Sequence, residues 1–338
     1  MKRWILKAGS VTLDGLIEQE VELPEPGPGE VRIRVCAASL NYRDHFVVEN
    51  AGESWRTQDD VIPVGDAAGV IDAVGEGVTQ WAAGDRVVTV YLRDFLIWPP
   101  NQNMGLGLGS LSENGVLAQY VVLSSERVVR APRNLSLSEA STLPCAALTA
   151  WTALQHAYPP KKGQKVLTLG TGSVSLFAAS FAKAQGAEVF ATTSRADKIS
   201  KLEALGVTST FDYHADSNWG DTVFSATGGI DKVVNTAGFG SLNQSIKAAA
   251  FGGDVAVVGL MTFGDVIEPA SFLAKGISLR GVPVGSRELQ NDMIEFIERH
   301  NIKPVIYKTF EFSNVKLAYK AQLSSDIFGK VVINISEE

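Results

Sequence analysis

A pair of glycines is the feature of this chain whose spacing most clearly fits a chemical task. Gly170 and Gly172 enclose Thr171, and two glycines so placed let the backbone turn tightly and approach a pyrophosphate without a Cβ in the way. A helix that starts here would also aim its unpaired N–H groups at the phosphates. Ser175 stands where the full fingerprint has a third glycine. The pattern predicts a dinucleotide-binding turn, and the alternative is a tight turn in another kind of α/β protein.

Residues at the end of the next predicted strand indicate which dinucleotide is bound. An NAD site usually has an acid there, about 20 residues beyond the turn, which binds the ribose 2′-hydroxyl. This chain has Ser194 and Arg195 at that place, and Lys198 one turn further on. A hydroxyl and two cations suit a 2′-phosphate, so we predict NADP(H) as the cofactor. Because Asp197 lies among them, the alternative is a solvated helix start of mixed charge.

The elements that must position these residues can also be read from the sequence. Residues 166–169 are apolar and end at Gly170, as expected of a buried strand. Small apolar residues over 174–182 predict a helix that ends at Gly186, and residues 188–193 begin a second strand. The glycine pair therefore lies at the first turn of a strand–helix–strand unit.

Length and composition exclude several classes of protein. The chain has 338 residues, enough for two domains of ordinary size, and its net charge of −7 argues against nucleic acid or an anionic membrane as a partner. Its two cysteines, Cys36 and Cys145, are too few for a disulfide framework or a structural zinc site. The sequence shows neither a run of about 18 apolar residues nor the apolar core of a signal peptide. We therefore expect a cytoplasmic protein with no membrane partner.

Four further blocks follow one another along the chain. Residues 65–78 read G-D-A-A-G-V-I-D-A-V-G-E-G-V, and G-D-R-V follows at 84–87. Residues 115–122 read G-V-L-A-Q-Y-V-V, and residues 140–151 read A-S-T-L-P-C-A-A-L-T-A-W. In this order the blocks resemble the medium-chain dehydrogenase/reductase superfamily, and the resemblance covers essentially the whole chain.

The resemblance implies an α/β protein with a GroES-like β-barrel catalytic domain and a Rossmann-type cofactor domain built on a doubly wound parallel sheet. We assign residues 1–148 to the catalytic domain, 149–287 to the NADP(H)-binding domain and 288–338 to a return to the catalytic domain. Within these limits the sequence predicts a β-hairpin over 1–23 and a helix over 135–157 that links the two domains.

Zinc-dependent members of the superfamily differ from this chain at their metal ligands. They carry a Cys where this chain has Asn41 and a His where it has Gly65, and neither residue here is a good zinc ligand. The segment over 94–114, where those members hold a structural zinc with four cysteines, contains no Cys, and all four His lie outside the ligand positions. The chain thus resembles the zinc-independent branch, the quinone oxidoreductase-like and zinc-free alcohol dehydrogenase-like proteins, and we predict no metal.

Hydride transfer from NADPH without a metal needs hydrogen-bond donors that stabilise the developing negative charge. Asn41 and Tyr42 stand at the first metal-ligand position of the zinc-dependent members, and we predict both as catalytic residues. Asn41 could donate its amide to substrate or cofactor, and Tyr42 could donate its phenol to a carbonyl oxygen. Arg43 and Asp44 beside them could equally form a structural ion pair.

A cofactor on an open parallel sheet lies at the carboxyl ends of the strands. Residues at those ends should line the nicotinamide and its ribose, and the resemblance supports the same set: Asn235, Gly259, Leu260, Val284 and Ser286. The resemblance also implies a tyrosine near the 2′-phosphate; Tyr213 is the candidate, with an ordinary surface aromatic as the alternative. Lys330 is a candidate for a cofactor phosphate. The complete set of predicted cofactor contacts is Asn41, Thr149, Gly170, Thr171, Gly172, Ser173, Val174, Ser194, Arg195, Lys198, Tyr213, Asn235, Gly259, Leu260, Val284, Ser286 and Lys330.

Together these features predict a zinc-independent, NADPH-dependent oxidoreductase. Hydrogen-bond donors suit acceptors that are already activated, so the expected substrates are small quinones or α,β-unsaturated carbonyls, held in the cleft between the two domains. Two alternatives stay open: an aldehyde or ketone reductase, and an NADPH-binding protein with a non-catalytic role. An apolar edge strand over 277–284 predicts a homodimer, and the resemblance implies the same, because members of that family commonly dimerise through this edge.

Overall fold

Two large sheets of different construction organise the chain, and the computed structural model describes residues 1–49, 55, 57–110, 113–264 and 266–338. The strands are β1 (Lys2–Leu6), β2 (Leu16–Glu20), β3 (Glu30–Ser39), β4 (Asp66–Val74), β5 (Arg86–Thr89), β6 (Tyr120–Ser124), β7 (Val128–Arg130), β8 (Lys165–Leu169), β9 (Glu188–Thr192), β10 (Ser209–Phe211), β11 (Ile230–Asn235), β12 (Ala249–Val257), β13 (Ser278–Gly281), β14 (Ile306–Glu311) and β15 (Lys330–Asn334). The helices are α1 (Arg43–Val48), α2 (Leu137–Ala140), α3 (Leu148–Gln155), α4 (Ser173–Ala184), α5 (Ile199–Ala204), α6 (Trp219–Thr227), α7 (Leu242–Ala248), α8 (Pro269–Ala274), α9 (Arg287–His300) and α10 (Val315–Gln322). None of the described helices is long and apolar enough to cross a membrane.

The chain folds into two compact units. Unit 1 comprises Met1–Leu148 and Gly285–Glu338, and unit 2 is the continuous segment Thr149–Val284. The sequence-based division placed residues 285–287 with the cofactor domain, whereas here they group with unit 1. The reason is local: the hydroxyl of Ser286 caps the N-terminus of α9 and accepts a hydrogen bond from Leu289 N at 3.2 Å.

Unit 1 is organised by a seven-stranded sheet around β3. The sheet order is β14-β15-β3-β4-β5-β7, and β6 also pairs with β3. Apolar residues alternate along the first part of β3, so that Val31 and Val35 are buried in the core. In the register, Ser39 lies opposite both Asp66 of β4 and Val332 of β15. The end of β3 is therefore held beside the first residue of β4 and the middle of β15.

Two sequence predictions in unit 1 have different outcomes. The hairpin predicted over 1–23 is confirmed, since β1 and β2 pair in antiparallel fashion. The single linking helix predicted over 135–157 is wrong, because a π-helical turn at Leu143–Ala147 separates α2 from α3. Pro144 lies in that turn and has no N–H to donate, which interrupts the regular helical hydrogen bonds.

Unit 2 is built on a six-stranded sheet whose strands all run parallel. Its order is β10-β9-β8-β11-β12-β13, which is a doubly wound order whose direction reverses between β8 and β11. Val233 of β11 and Val255 of β12 are fully buried, as expected for parallel strands covered on both faces. The predicted α/β fold with a doubly wound parallel sheet is confirmed.

A buried ionic cluster, the Lys232 cluster, joins three strands of unit 2 through Lys232 of β11, Asp254 of β12 and Arg280 of β13. Lys232 Nζ lies 3.0 Å from Asp254 Oδ2, and two guanidinium nitrogens of Arg280 donate to the carboxylate at 2.8 Å each. Lys232 also donates to Ala153 O at 3.3 Å and to Leu154 O at 3.2 Å. The cluster thereby supplies partners to carbonyls in the last turn of α3, which have none within the helix.

Strand β13 forms one edge of the parallel sheet. Among the residues that the structure describes, it pairs only with β12, and most of its residues are half-buried. Its other side carries backbone groups that no described strand pairs. The homodimer predicted through residues 277–284 stays a prediction.

Candidate functional site

The turn after β8 has the tight and open backbone that the glycine pair predicts. Gly170 has a φ of +75°, in the left-handed region that favours glycine, and Gly172 is the N-cap of the 12-residue helix α4. A Cβ added at either glycine would meet no atom within 4 Å, so the space at the turn is open. Since Gly172 has no side chain to cap the helix, the first N–H groups of α4, including those of Ser173 and Val174, can serve a phosphate.

Ser175, at the position of the missing third glycine, ties α4 to the sheet. Its hydroxyl donates to Leu169 O at 2.6 Å and lies 3.0 Å from Thr236 Oγ1. Leu169 ends β8 and Thr236 follows β11, and these are the two strands between which the sheet order reverses. The serine thus gives by hydrogen bonding the close helix–sheet packing that a glycine gives by its small size.

Two hydrogen bonds bring together predicted cofactor residues from three loops. Lys198 Nζ donates to Thr171 Oγ1 at 3.3 Å, and Ser194 Oγ donates to Tyr213 Oη at 3.1 Å. These residues follow β8, β9 and β10, three adjacent parallel strands. The residues predicted to bind the 2′-phosphate therefore lie along one edge of the sheet, at the carboxyl ends of its strands.

Arg195 is engaged by an acidic neighbour. Its Nε and Nη2 lie 2.8 and 3.1 Å from the two carboxylate oxygens of Asp197, in the bidentate geometry that arginine favours. Hydrogen bonding to Arg195 lowers the pKa of Asp197, so this carboxyl is ionised at neutral pH. A 2′-phosphate would therefore compete with Asp197 for the guanidinium.

Asn235, at the end of β11, holds its own turn. Its Oδ1 accepts from Ala237 N, Gly238 N and Ser241 Oγ at 3.1, 2.8 and 3.1 Å. Its Nδ2 donates to Gly238 O and Ser245 Oγ at 3.2 and 3.3 Å, and the residue is completely buried. The amide shapes the strand end and has no group left for a nicotinamide, so the contact predicted for Asn235 would have to come from the backbone of this turn.

The other predicted nicotinamide residues of unit 2 lie beyond β12 and β13. Gly259 passes so close to the turn after β11 that a Cβ on it would meet Thr236 O at 2.1 Å. Leu260 is 58% exposed, and Val284 has a φ of +34°. Thr149 is buried in the first turn of α3. The exposed side chain of Leu260 is thus accessible to a ligand at the strand ends.

A second candidate site lies in unit 1, where the sheet register brings together Asn41, Asp66 and Lys330, here called the Lys330 cluster. The ammonium of Lys330 donates to Leu40 O at 2.9 Å, to Asn41 Oδ1 at 2.8 Å and to Asp66 Oδ2 at 3.2 Å. Lys330 and Asp66 are 1% exposed or less. All three ammonium protons are used inside unit 1, which leaves none for the cofactor phosphate that the sequence analysis assigned to Lys330.

One oxygen of the Asp66 carboxyl is bound and the other is not. Asp66 Oδ2 accepts from Lys330 and from Cys145 N, the latter at 3.3 Å. Oδ1 has no hydrogen-bond partner in the described part of the chain. Burial raises the pKa of this carboxyl, and the nearby Lys330 and Asn41 counteract part of that rise. The carboxyl therefore holds an unused acceptor in a buried place.

Asn41 and Tyr42, the predicted catalytic pair, are placed differently. Asn41 is buried, its backbone N–H donates to Asp44 Oδ2 at 2.7 Å, and its Nδ2 has no hydrogen-bond partner among the described residues. Tyr42 is 41% exposed, and its ring meets that of Phe46 edge-on at 5.3 Å. Asn41 therefore offers a fixed, buried donor and Tyr42 an accessible one. Arg43 Nε lies 3.3 Å from Asp44 Oδ1, so the ion pair that the sequence left open is present.

Arg43 also fills the space beside Gly65. Its guanidinium donates to Leu108 O and, at 3.4 Å, to Gly109 O, and it lies 5.0 Å from the ring centre of Tyr91. A Cβ at position 65 would meet Arg43 Nη2 at 2.9 Å and Tyr91 Cε2 at 2.8 Å. A histidine at this position would therefore not fit.

The residues at these positions do not fit a zinc ion. Asn41 Oδ1 is taken by the Lys330 ammonium, and Gly65 has neither a side chain nor space for one. Burial raises the pKa of the Cys145 thiol to about 12. No cluster of three or more His, Cys, Asp or Glu within the described ranges is arranged to hold a metal ion.

Sequence reasoning missed two members of this site, Asp66 and Cys145. Both stand in blocks that carry the family resemblance, G-D at 65–66 and L-P-C at 143–145, so a signal was present. Their proximity depends on strand pairing and on a helical turn 79 residues further along the chain. No local pattern shows such a contact.

Two family profiles match the chain. The profile described as the alcohol dehydrogenase GroES-like domain matches residues 27–133. The profile described as zinc-binding dehydrogenase matches residues 173–299. The first match lies within unit 1, and the second runs from the start of α4 to the end of α9.

Curated relatives match along nearly their whole length. A zinc-type alcohol dehydrogenase-like protein of Schizosaccharomyces pombe is 36% identical over 332 residues, which cover 95% of this chain and 96% of the relative. The acryloyl-coenzyme A reductase of Sulfurisphaera tokodaii is 26% identical over 334 residues, which cover 93% and 95%.

Solved structures have the same fold. A crystal structure from Sinorhizobium meliloti 1021, provisionally named an alcohol dehydrogenase, superposes with a TM-score of 0.90 at 36% identity, covering 99% of this chain and 100% of that one. An NAD-dependent alcohol dehydrogenase superposes with a TM-score of 0.88 at 30% identity, again covering 99% and 100%.

Proposed function

The chain belongs to the medium-chain dehydrogenase/reductase superfamily, and from this premise we propose that it is a zinc-independent, NADPH-dependent reductase of quinones or of the activated C=C bond of α,β-unsaturated carbonyls. Membership makes the chain an oxidoreductase with a nicotinamide cofactor. The preference for NADP(H), catalysis without a metal and the class of acceptor are the parts that we propose.

The observation that carries the proposal is that cations of the chain itself lie beside the two metal-ligand positions, Asn41 and Gly65. Lys330 is hydrogen-bonded to Asn41, and Arg43 fills the space beside Gly65. A carbonyl acceptor at this site would meet hydrogen-bond donors in place of a Lewis acid. Donors of this kind suffice best for acceptors that spread the developing negative charge over a conjugated system, as quinones and enones do.

The cofactor edge of unit 2 supports a dinucleotide with a 2′-phosphate. The open turn at Gly170 and Gly172 would hold the pyrophosphate at the start of α4, and the loop after β9 would hold the 2′-phosphate through Ser194 and Lys198. Asp197, which lies in that loop, is bound to Arg195. When bound, the cofactor supplies the hydride.

Two side chains of unit 1 are proposed as donors to the acceptor. Asn41 Nδ2 is buried without a partner among the described residues, and Tyr42 carries its phenol on an exposed side chain. A hydrogen bond from either group to the carbonyl oxygen becomes stronger as negative charge develops there. Each would therefore lower the barrier to hydride transfer.

An aldehyde or ketone reductase is the second candidate function. It is favoured by the names of a curated relative and of a structural neighbour, both alcohol dehydrogenase-like or alcohol dehydrogenase. The acryloyl-coenzyme A reductase among the relatives favours C=C reduction. The two candidates differ in the bond that is reduced, which product analysis can distinguish.

An acceptor panel tests the proposal. The purified protein is given NADPH or NADH with 1,4-benzoquinone, 2-cyclohexen-1-one, acryloyl-coenzyme A or benzaldehyde, and cofactor oxidation and products are measured. We expect faster oxidation of NADPH than of NADH, reduction of the quinone or of an enone C=C bond, and no loss of rate after treatment with a chelator. Reduction of benzaldehyde alone would favour the second candidate. Tight NADPH binding without any turnover would favour a non-catalytic role.

We further propose a homodimer in a reducing compartment. The unpaired side of β13 can pair with the same strand of a second copy, as exposed strand edges commonly do. Sedimentation at micromolar concentration should give the mass of a dimer, and a monomer would contradict this. Cys36 and Cys145 are not joined in a disulfide, and thiols persist where the surroundings are reducing, as in the cytoplasm.

A further inference from the structure

We propose that Lys330 is a positioning residue whose ammonium fixes the Asn41 amide so that its Nδ2 faces the ligand. The inference rests on the proposed function in one respect: the ligand is taken to be the cofactor or its hydride acceptor. Lys330 then acts through Asn41 and makes no contact with a cofactor phosphate.

The first step is the saturation of the ammonium. It has three protons and three acceptors, Leu40 O, Asn41 Oδ1 and Asp66 Oδ2, at 2.9, 2.8 and 3.2 Å. The residue is 1% exposed, so a phosphate would have to displace one of these partners and enter the core of unit 1. Transfer of the ammonium to a ligand would also leave the Asp66 carboxylate buried without its counter-ion.

The second step is the orientation of the amide. An ammonium has donors only, so the Asn41 oxygen must face Lys330, and Nδ2 must point to the other side. The backbone of Asn41 is fixed as well, because its N–H donates to Asp44 Oδ2 at 2.7 Å and its carbonyl accepts from Asp44 N at 2.9 Å. The amide therefore has one orientation that satisfies its surroundings.

The third step is the unused hydrogen-bonding capacity of the cluster. Asn41 Nδ2 and Asp66 Oδ1 are both buried and lack hydrogen-bond partners among the described residues. The Asn41 amide lies close enough to the Asp66 carboxyl for hydrogen bonding to lower the pKa of that carboxyl, although Nδ2 and Oδ1 do not meet with the geometry of a full hydrogen bond. A donor and an acceptor left open side by side fit a ligand with a carbonyl or hydroxyl oxygen. The Lys330 ammonium, which donates to Asn41 Oδ1, also polarises the Asn41 amide and thereby strengthens Asn41 Nδ2 as a donor.

A double-mutant cycle tests whether Lys330 acts through Asn41. Lys330→Met, Asn41→Ala and the double variant are compared with the wild type for kcat, KM and the dissociation constant of NADPH, with the most active acceptor of the panel. We expect each single variant to lose roughly 10- to 100-fold in kcat/KM. The kcat/KM of the double variant should be no more than about threefold below that of the less active single variant, because both changes remove the same donor. Losses that multiply would overturn the inference. Lys320→Met, an exposed lysine on α10, is the matched control and should not differ from the wild type.

Binding of a cofactor fragment separates positioning from a phosphate contact. The probe is 2′-phospho-ADP-ribose, which keeps all the phosphates of NADP(H) and lacks the nicotinamide. Lys330→Met should bind it within about twofold of the wild type, whereas loss of a charged phosphate contact would weaken binding by tenfold or more. A tenfold loss would assign Lys330 to a phosphate and contradict the inference.

A double variant that lacks both charges controls for misfolding. Lys330→Met leaves Asp66 unpaired in the core, so Lys330→Met/Asp66→Asn, which removes both charges, is measured beside it. The neutral pair should fold and still show the loss in kcat/KM, and full activity of this variant would overturn the inference.

If the wild type reduces no acceptor of the panel, the proposed function fails, and the double-mutant cycle is then evaluated from NADPH dissociation constants. In that case Asn41→Ala and Lys330→Met must share one loss of affinity, and unchanged constants in both would overturn the inference too.

Discussion

The two units each bury an ionic cluster, and the clusters differ in how fully their hydrogen bonds are satisfied. In the Lys232 cluster of unit 2, no buried side-chain nitrogen or oxygen of Lys232, Asp254 or Arg280 lacks a partner. In the Lys330 cluster of unit 1, Asn41 Nδ2 and Asp66 Oδ1 both lack one within the described ranges. Both clusters contain a lysine against an aspartate, and they differ in the third member, which is Arg280 in unit 2 and Asn41 in unit 1.

We attribute this difference to a structural role of the Lys232 cluster and to the functional role that we propose for the Lys330 cluster. An unsatisfied buried polar group is unfavourable by about 1–3 kcal/mol unless water or a ligand completes its hydrogen bonds. The Lys232 cluster is complete and holds the end of α3 against three strands. The Lys330 cluster is incomplete and holds a donor in place. We therefore expect changes in the first to reduce stability and changes in the second to reduce activity.

The strongest test of this contrast is Asp254→Asn. The change leaves Lys232 and Arg280 buried without their shared carboxylate, and the free energy of unfolding should fall by about 3–5 kcal/mol. Urea unfolding measures the loss, and Asp292→Asn on the exposed face of α9 is the control. The folded fraction should bind NADPH normally. A loss of less than about 1 kcal/mol, or an activity defect in fully folded protein, would contradict a purely structural role of the Lys232 cluster.

The pH dependence of the free energy of unfolding tests whether the buried Lys232 has a lowered pKa. Burial lowers the pKa of Lys232 from 10.5 to about 8. Between these values the unfolded chain keeps a proton that the folded chain has lost, so the free energy of unfolding rises with pH across that window, by up to about 3 kcal/mol. Below pH 8 both states are protonated and the unfavourable effect of the buried charge is constant.

Lys232→Met should abolish this rise. Urea unfolding of wild type and variant at intervals between pH 7.5 and 10.5 (a range set by the pKa values above) gives the difference between them. As the pH increases, the free energy of unfolding of the wild type should rise relative to that of Lys232→Met. Lys320→Met should follow the wild type at every pH. A constant difference between Lys232→Met and the wild type would show that Lys232 does not titrate in this window.

An exposed ion pair, that of Arg195 with Asp197, extends the contrast to the surface. Replacing both Arg195 and Lys198 by alanine should weaken NADPH binding by about 2–3 kcal/mol, since charge-assisted contacts do not add fully, and should leave NADH binding nearly unchanged. Asp197→Asn is the opposite change, because it frees Arg195 for the phosphate, and it should tighten NADPH binding by about two- to fivefold. Titration of each variant with both cofactors measures these effects. Equal losses for NADPH and NADH would contradict a 2′-phosphate site.

The smallest expected effect concerns Tyr42, the accessible donor next to Asn41. Tyr42→Phe keeps the ring that packs against Phe46 and removes the phenol. If the phenol stabilises the developing oxyanion, kcat should fall by roughly 10- to 30-fold, with the NADPH dissociation constant and the stability unchanged. Unchanged kcat in Tyr42→Phe, together with a large loss in Asn41→Ala, would leave the buried donor of the Lys330 cluster as the catalytic one.

Local patterns predicted the cofactor unit well. The strand before Gly170, the helix after Gly172 and the parallel sheet all follow from residues within a short stretch of chain, since a turn and a helix start are made by neighbours. The position of Asn235 at a strand end was predicted in the same way, but the use of its side chain within the turn was not. Its side chain is consumed by hydrogen bonds within ten residues, and such details depend on the exact turn.

The Lys330 cluster could not be derived in this way. Lys330 and Asn41 are 289 residues apart, and they meet only because β15 pairs with β3 in one particular register. A shift of one residue would turn Lys330 to the other face of the sheet. Sequence reasoning placed both residues near a cofactor but could not show that one binds the other. It also missed the break at Pro144, although proline is a local signal, because the apolar pattern continues across it.

The insertion of unit 2 within unit 1 has a consequence for biosynthesis. The ribosome completes all of Thr149–Val284 before it makes β15, which lies between β14 and β3 in the sheet of unit 1. Unit 2 is continuous and can fold as soon as it emerges, as domains generally do during synthesis. Until β15 is made, the Ala37–Ser39 end of β3 lacks the strand that pairs with it, because β6 reaches only Glu30–Arg34, and this end stays open to other strands. We therefore expect nascent chains to be most prone to aggregation, and most dependent on chaperones, in the interval between the emergence of β3 and that of β15.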